Sequence, residues 1–456
     1  MAGVGYYAQG AWSHPASQRH RYTDLDFWLE RSKLLDEAGF DALFFADVLG
    51  VYDVYRSSQA PAIAGAVDFP LNDPFMLVSA MLTNTQQLSF VLTASTTYES
   101  PFALARRLAT LDHISKGRIG WNVVTSYLPN AARNHGLIEQ IPHDQRYQRA
   151  EEFLAVVYRL LEHSWDNDAV VYDKANKVYA DPNKVHTIDH HGEFFSVQGP
   201  ALTEPSVQRT PVLYQAGASA RGLQFAATHA EVVFVNGSNR AALAAQTAKL
   251  RAAAAAAGRA PGDIRIVTDL SIVLGRSRSE AEDKANEIRR AQSPEAQYAA
   301  FGGASGFDLS QYDDDDLLPT ALTHFSQAEA ARFTTEKDRP DTIADIKSRL
   351  LDLAPYARTL VGTADTIATE MATIVEQTDV DGFNLHEFVT PGDFEEFSEH
   401  VMPLLTARGM RSPATTAGSL RNRLFGHGDR LNDAHPGAAA RRGQRQLAST
   451  PKASID

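Results

Sequence analysis

Residues 211–236 read PVLYQAGASARGLQFAATHAEVVFVN. Pro211–Gly217 and Glu231–Asn236 are almost continuously apolar. A strand with one face in water alternates apolar and polar residues. These runs do not alternate, so each is read as a strand covered on both faces. Between them, Ala220–His229 is amphipathic and long enough for about three helical turns. A strand, a helix and a second strand in that order form a crossover unit whose two strands run parallel.

The same pattern extends outward in both directions. Further buried-strand runs are Asp41–Asp47 (DALFFAD), Leu88–Thr96 (LSFVLTAST), Gly117–Val124 (GRIGWNVV), Ile264–Leu274 (IRIVTDLSIVL) and Asp381–His386 (DGFNLH). Helices are expected at Asp24–Ala38, Pro74–Thr83, Pro101–Ser115, Asp144–His163, Arg240–Ala257, Ser279–Ala291 and Thr363–Gln377. This alternation predicts an α/β fold with a parallel sheet, and a closed (β/α)8 TIM barrel is the first choice. A doubly wound open sheet is the alternative, although no G-x-G-x-x-G follows an early strand. Seven strand runs are visible, not eight. The first, at Asp41, already has a helix before it, so the first strand of a barrel is not evident in this chain.

Two stretches interrupt the alternation. Residues 127–208 carry a helix and an extended piece, His186–Val197. Residues 293–356 carry a Gly-rich run (FGGASGFD), an acidic run and a polar helix. Long insertions at strand ends are where lids form. The chain is therefore divided into a barrel, 1–410, with insertions at about 127–208 and 293–356, and a C-terminal extension, 411–456. The extension is rich in Arg, Gly, Ala, Ser and Pro, and its last part, after about Pro436, is expected to be disordered, basic and solvated.

Bulk properties exclude several functions. With 44% apolar and 22% charged residues, the composition is that of a chain able to bury a core. A net charge of -13 argues against nucleic acid as a main partner, because phosphates need a basic face. There is no cysteine, so disulfides, thiolate catalysis, cysteine-held zinc and iron–sulfur clusters are excluded. The N-terminal stretch lacks a basic start followed by an apolar core, and no run nears the roughly 20 apolar residues that span a bilayer. A cytoplasmic protein with no membrane partner is expected.

Four places can carry chemistry. In YQAGASARG (214–222), an apolar strand ends in Gly217 and Ser219 stands where a helix N-cap belongs. Free N–H groups at a helix start and its dipole favour a phosphate, although an ordinary capped helix explains Ser219 as well. GWNVVTSY (120–127) runs a strand into Asn, Thr and Ser at the end where barrels place their sites. HDQRY (143–147) puts His143 and Tyr147 one turn apart on one helix face. Asp47 ends DALFFAD, and Thr93 lies near the end of another strand. His186, His190 and His191 fit no zinc spacing and are read as hairpin or solvated residues, so no metal is assigned. Asp313–Asp316 lacks the spaced ligands and the Gly of a calcium loop.

Taken together, GRIGWNVVTSYLPNAARNHG, HDQRYQRAEEFL, KVHTIDHHGEFFSVQGP and EPSVQRTPVLYQAGASARGLQFAATHAEVVF resemble the luciferase-like monooxygenases. The branch is that of the nitrilotriacetate, dibenzothiophene-sulfone, dimethyl-sulfide and long-chain-alkane enzymes. The resemblance runs from AQGAWSHPASQRHRYTDLDFW to DGFNLHEFVTPGDFEEFSEHVMPLL. It implies a luciferase-like (β/α)8 barrel with lid insertions. It implies a two-component enzyme that oxidises a small organic substrate with dioxygen and reduced FMN, the FMN coming from a separate NAD(P)H-dependent flavin reductase. The flavin-contacting positions fall on Asp47, Thr93, Ser126, His143, Tyr147 and Ser219, with Tyr147 and Ser219 at the phosphate. A homodimer or homotetramer is implied.

Departures bear on the substrate. Tyr6 stands where many members have His, and the alkane enzymes carry His at the positions of Tyr127 and Ala300. Trp12, Tyr52, Tyr127 and Phe301 are expected to line an apolar pocket, with Tyr52 and Tyr127 as the candidates nearest the chemistry. A small apolar or sulfur-containing substrate is therefore expected. Two other readings remain open: a deazaflavin-dependent oxidoreductase sharing the barrel, and a flavin-binding barrel without catalysis.

Overall fold

The computed structural model describes residues 1–5, 8–217, 219–319, 341–355, 357–411 and 418–442. Tyr6, residues 320–340, Tyr356 and the tail beyond 442 lie outside them, so the expectations for those residues are not addressed further.

Eight strands form one parallel sheet: β1 (Ala42–Phe45), β2 (Ser89–Ser95), β3 (Ile119–Val124), β4 (Val212–Ala216), β5 (Val232–Phe234), β6 (Arg265–Leu274), β7 (Arg358–Gly362) and β8 (Gly382–His386). The helices that matter for the site are α1 (Leu25–Ala38), α2 (Pro74–Met81), α3 (Pro101–Ser115), α4 (His143–Tyr158), α5 (Ala220–His229), α6 (Arg240–Ala256), α7 (Arg278–Ala291), α8 (Pro294–Ser305), α9 (Ala364–Thr378) and α10 (Leu420–Phe425). The continuous apolar runs became strands because helices cover their outer faces and the barrel lumen covers their inner ones. All seven residues of β2 are buried.

The sheet is rolled, not flat. β1 and β5 are four strands apart in the order β1-β2-β3-β4-β5. In a flat sheet that separation is about 19 Å. Here the rings of Phe44 in β1 and Phe234 in β5 stand 4.9 Å apart across the interior. Val91, Val212, Tyr214 and Val232 join them in one core. The open doubly wound sheet is thereby set aside.

β7 is the strand that sequence reading missed. Val267 of β6 pairs with both Phe234 of β5 and Gly382 of β8, so these neighbours take opposite edges. Leu270 and Ser271 pair with both β7 and β8, so β7 shares the edge used by β5. β5 and β7 thus lie in tandem along one long strand. Among the described residues the wall has seven positions, and β1 and β8 are its two ends. Between these ends lies a cavity of about 580 Å³, lined by Phe44, Tyr214, Phe234, Val267 and Phe383 and reaching Met1.

Two stretches differ from their sequence reading. The Gly-rich run at 302–303 is helical and belongs to α8. It has no side chains there because Gly303 lies flat against the ring of Tyr52, with no room for a Cβ. Residues 419–442, the described end of the C-terminal extension, close the N-terminal end of the barrel. Leu420 is fully buried against Val91, Val212 and Val232, with Leu424 and Phe425 beside it. Arg421 has no exposure and donates from Nε and Nη2 to Glu231 at 2.7 and 2.8 Å. Its remaining N–H groups reach the carbonyls of Thr210 and Asp429. The Arg421 charge there is absorbed by a buried pair.

Candidate active site

In a barrel, side chains from the C-terminal strand ends and the following loops meet at one mouth. Three groups of the expected residues gather there.

The first surrounds the N-terminus of α5. Ser219 has extended backbone angles, and its Oγ accepts from the Gly222 N–H at 3.0 Å, the geometry of an N-cap. His143, the first residue of α4, places Nε2 3.3 Å from the same Oγ. Its Nδ1 faces Asp144 Oδ1 at 2.8 Å, which sets the ring's orientation. Tyr147, one turn later, packs edge-on against His143 with ring centroids 5.1 Å apart. Burial pushes the Tyr147 phenol up, opposed by hydrogen bonds with Ser219 and Thr125 and by the charge of Arg146. Sequence spacing alone did not reveal the role of Gly222. A Cβ there would lie 2.7 Å from Tyr147 Oη and 3.0 Å from Ser219 Oγ. The glycine therefore lets the two hydroxyls converge on the helix start.

The second group occupies the ends of β1, β2 and β3. Asp47, Thr93, Ser95 and Ser126 line a cavity of about 230 Å³. Thr93 Oγ1 accepts from Asn122 Nδ2 at 2.9 Å, a pair set by the register of β2 against β3. Ser126 adopts a positive φ of 54° and donates to Ser95 Oγ at 2.9 Å. A non-glycine residue in that region is uncommon and marks a turn held by its surroundings. Burial raises Asp47 to about 7, with the charge of Asp73 adding to it; the Met1 amino group and the Val48 N–H oppose the rise. Thr125 joins this group to the first, because it precedes Ser126 and bonds Tyr147.

The third group is Tyr52 and Tyr127, whose hydroxyls are 3.1 Å apart. Both belong to an apolar cluster with Ala300, Leu128 and Ala131. The expected four-residue pocket does not assemble. Phe301 is fully buried in a different cluster with Phe307 and Leu309. Trp12 is 37% exposed and donates its Nε1–H to the Gly65 carbonyl. Phe301 points away because helix neighbours are about 100° apart, so Ala300 takes the inward position.

Sequence reading also missed a cluster on the opposite side of the mouth. Asp269 of β6 accepts from Asn236 Nδ2 at 2.6 Å and Asn384 Nδ2 at 2.7 Å, with His386 Nε2 at 3.0 Å. Burial works against its charge, but His386 and the two amides hold it at about 2. The signal was present, since Asp269 is the one acid inside the apolar run VTDLSIVL. His190, by contrast, bonds Glu152 at 3.0 Å, and Glu152 also receives the N–H groups of Phe194 and Phe195. That histidine braces a loop.

The donors and spaces suit a flavin mononucleotide. The α5 start offers N–H groups, a hydroxyl cap and a cradle that a Cβ at 222 would fill, which is the chemistry a phosphate needs. Asn122 Oδ1 and Gln215 Oε1 are buried acceptors without a partner among the described residues, so donors on a ligand's ring would satisfy them.

Comparison with known proteins identifies the family. Residues 6–382 match the luciferase-like monooxygenase family. The long-chain alkane monooxygenase of Geobacillus thermodenitrificans (strain NG80-2) is 44% identical, over 96% of this chain and 96% of that protein. The dimethyl-sulfide monooxygenase of Hyphomicrobium sulfonivorans is 42% identical, over 97% of this chain and 92% of that protein. A crystal structure of a riboflavin lyase, solved with a modified FMN and riboflavin, superimposes with a TM-score of 0.91. It is 37% identical and covers 96% of this chain and 97% of its own. The chain belongs to the luciferase-like monooxygenases.

Proposed function

We propose that this enzyme is the oxygenase of a two-component system. It takes reduced FMN from a separate flavin reductase and oxidises a small apolar or sulfur-containing molecule. The observation that carries this reading is the convergence of His143, Tyr147 and Ser219 on the start of α5, with Gly222 making room. When bound, reduced FMN supplies the two electrons with which dioxygen gives one oxygen atom to a substrate and the other to water. The protein's part is to bind, orient and keep dry. Ser219 and Tyr147 hold the phosphate, helped by the α5 N–H groups, and His143 buttresses them. Asp47, Thr93 and Ser126 set the ring's position at the ends of β1–β3. Tyr52, Tyr127 and Ala300 form the wall that meets the substrate. Where alkane enzymes carry His, this wall is phenolic and apolar at Tyr127 and Ala300, which favours small thioethers over long alkanes.

The test is reconstitution with NADH, FMN and a flavin reductase under labelled dioxygen, against a panel of thioethers, sulfones, amines and alkanes. One labelled oxygen per product molecule is expected. Oxidation of the reduced FMN to hydrogen peroxide alone, across the whole panel, would remove the assignment. Retention on deazaflavin but not on FMN would favour the other cofactor.

A further inference from the structure

We propose that Asp68, Tyr52 and Tyr127 form a proton relay that delivers a proton from the buried Asp68 carboxyl to the Tyr127 side of the active site. The inference rests on the monooxygenase reading above and assigns a task that reading leaves open.

The geometry is a short chain of oxygens. Tyr52 Oη and Asp68 Oδ2 are 2.9 Å apart, and Tyr52 Oη and Tyr127 Oη are 3.1 Å apart. Both separations are within hydrogen-bond distance. Tyr52 and Asp68 are buried, at 5% and 9% exposure, so water does not short-circuit the link. The Tyr52 ring is pinned by Gly303 of α8, whose missing side chain is what allows the contact. Asp68 itself has a φ of 46°, a region that disfavours side chains, so the fold holds this carboxyl in place at some cost. Its second oxygen, Oδ1, makes no hydrogen bond of ordinary length among the described residues, although the Gln9 side chain stands close enough to favour the anion. Burial outweighs that help and shifts the carboxyl toward its protonated form.

The groups facing Asp68 are Tyr52, Gln9 and the Met1 amino group, with Tyr127 reached through Tyr52. Burial raises the carboxyl to about 6, opposed by the Tyr52 hydrogen bond, the Met1 charge and Gln9. A general acid works best when its pKa lies near the operating pH. The chain leads to the active site because Ser126, next to Tyr127, lines the same cavity as Asp47 and Thr93.

The balance needs such a group. Substrate, dioxygen, the reduced flavin anion and one proton give oxygenated substrate, oxidised flavin and water. In the relay, the Asp68 proton passes to Tyr52 Oη, the Tyr52 proton passes to Tyr127 Oη, and the Tyr127 proton passes to the oxygen leaving as water. Both tyrosines end neutral and Asp68 ends as a carboxylate. A solvent proton returns along the same chain when product leaves. Asp68 and Tyr52 act through Tyr127 and so are positioning residues.

The experiment has two arms. In the first, infrared difference spectra of the flavin-free protein follow the carbonyl stretch of a protonated carboxyl against pH. The wild type should show a band lost near pH 6 that is absent in Asp68→Asn and shifted to higher pH in Tyr52→Phe. Spectra identical in all three proteins would overturn the chain. In the second, kcat for substrate oxidation is followed against pH with reductase-supplied FMN. Asp68→Asn, Tyr52→Phe and Tyr127→Phe should each lose tenfold or more in kcat, with little change in KM. The wild-type fall above pH 6 should flatten in Asp68→Asn and return in Asp68→Glu. The double variant Asp68→Asn/Tyr52→Phe should lose no more than either single variant. A wild-type pH profile in Asp68→Asn, or fully additive losses, would overturn the relay while leaving the oxygenase reading intact. Oxygenated product from no protein, wild type included, would overturn both.

Discussion

Replacing Gly222 with Ala is the sharpest probe of the phosphate site, because it adds one carbon where two hydroxyls meet. The added Cβ would stand 2.7 Å from Tyr147 Oη and 3.0 Å from Ser219 Oγ. Ordinary contact begins near 3.4 Å. Something must shift, and neither partner is free to do so alone. Tyr147 is 6% exposed, between His143 and Phe225. Ser219 is the cap of α5. The fold itself should survive. Ala is better than Gly in a helix by about 0.8–1 kcal/mol, which offsets much of a local overpacking cost of about 1–3 kcal/mol.

The phosphate should be affected far more. Losing one good hydrogen bond to a charged group removes about 1.5–3 kcal/mol. At about 1.4 kcal/mol per decade, that weakens binding roughly tenfold to a hundredfold. The assay is fluorescence titration of Gly222→Ala and wild type with FMN and with riboflavin, which lacks the phosphate. FMN affinity should fall by that factor and riboflavin affinity should stay within about twofold. Equal losses for both ligands would mean that the substitution disturbs the ring site. An unchanged FMN affinity would mean that the phosphate does not sit at α5. Either result refutes the reasoning.

Other perturbations test the frame around the site. Arg421→Ala should cost about 3–5 kcal/mol in denaturant unfolding, because it leaves Glu231 buried and unpaired. Asp269 has a depressed folded pKa, so its stabilisation is present above its unfolded value near 3.8 and is lost as pH falls toward about 2. Asp269→Asn should therefore lower the midpoint at pH 6 and remove part of the acid sensitivity seen in thermal melts between pH 4 and 2. Asp47 has the opposite sign. Its folded pKa is raised to about 7, so stability is greatest below pH 4 and declines as pH rises through 7. Asp47→Asn should melt like wild type at pH 4 and higher than wild type at pH 8.

The parts of the fold legible in sequence are those where burial acts on both faces. β2, β3, β4 and β6 came through as apolar runs because helices and lumen both exclude water from them. β7, the five-residue run RTLVG, did not. It extends the edge of β6 above β5, a position with no signature in composition. The residues around α5 were legible for a local reason, since strand end, cap and helix follow one another in sequence. The relay was not, because Tyr52, Asp68, Tyr127 and Gly303 come from four separate segments. Ala300 was passed over for Phe301, although the helix turns the smaller residue inward.

The three acids at the mouth show how one residue type is given different tasks. Asp269 lies on the β5–β6–β8 side with His386 and two amides as neighbours, and it stays ionised despite burial. Asp47 and Asp68 belong to the β1–β3 side. Asp47 is opposed mainly by the Met1 amino charge and the Val48 N–H, and Asp68 by the Tyr52 hydroxyl, so desolvation prevails and raises them to about 7 and about 6. Neighbouring charges and donors decide the outcome, since desolvation pushes all three upward. An acid that stays charged and saturated with donors holds its neighbours in place and has no proton to give. An acid poised near neutrality can give one. The β5–β6–β8 side therefore acts as a brace, and proton traffic belongs to the side where Thr93, Ser126 and Tyr127 also stand. The two environments, pushed apart on one barrel rim, separate the structural from the chemical half of the mouth.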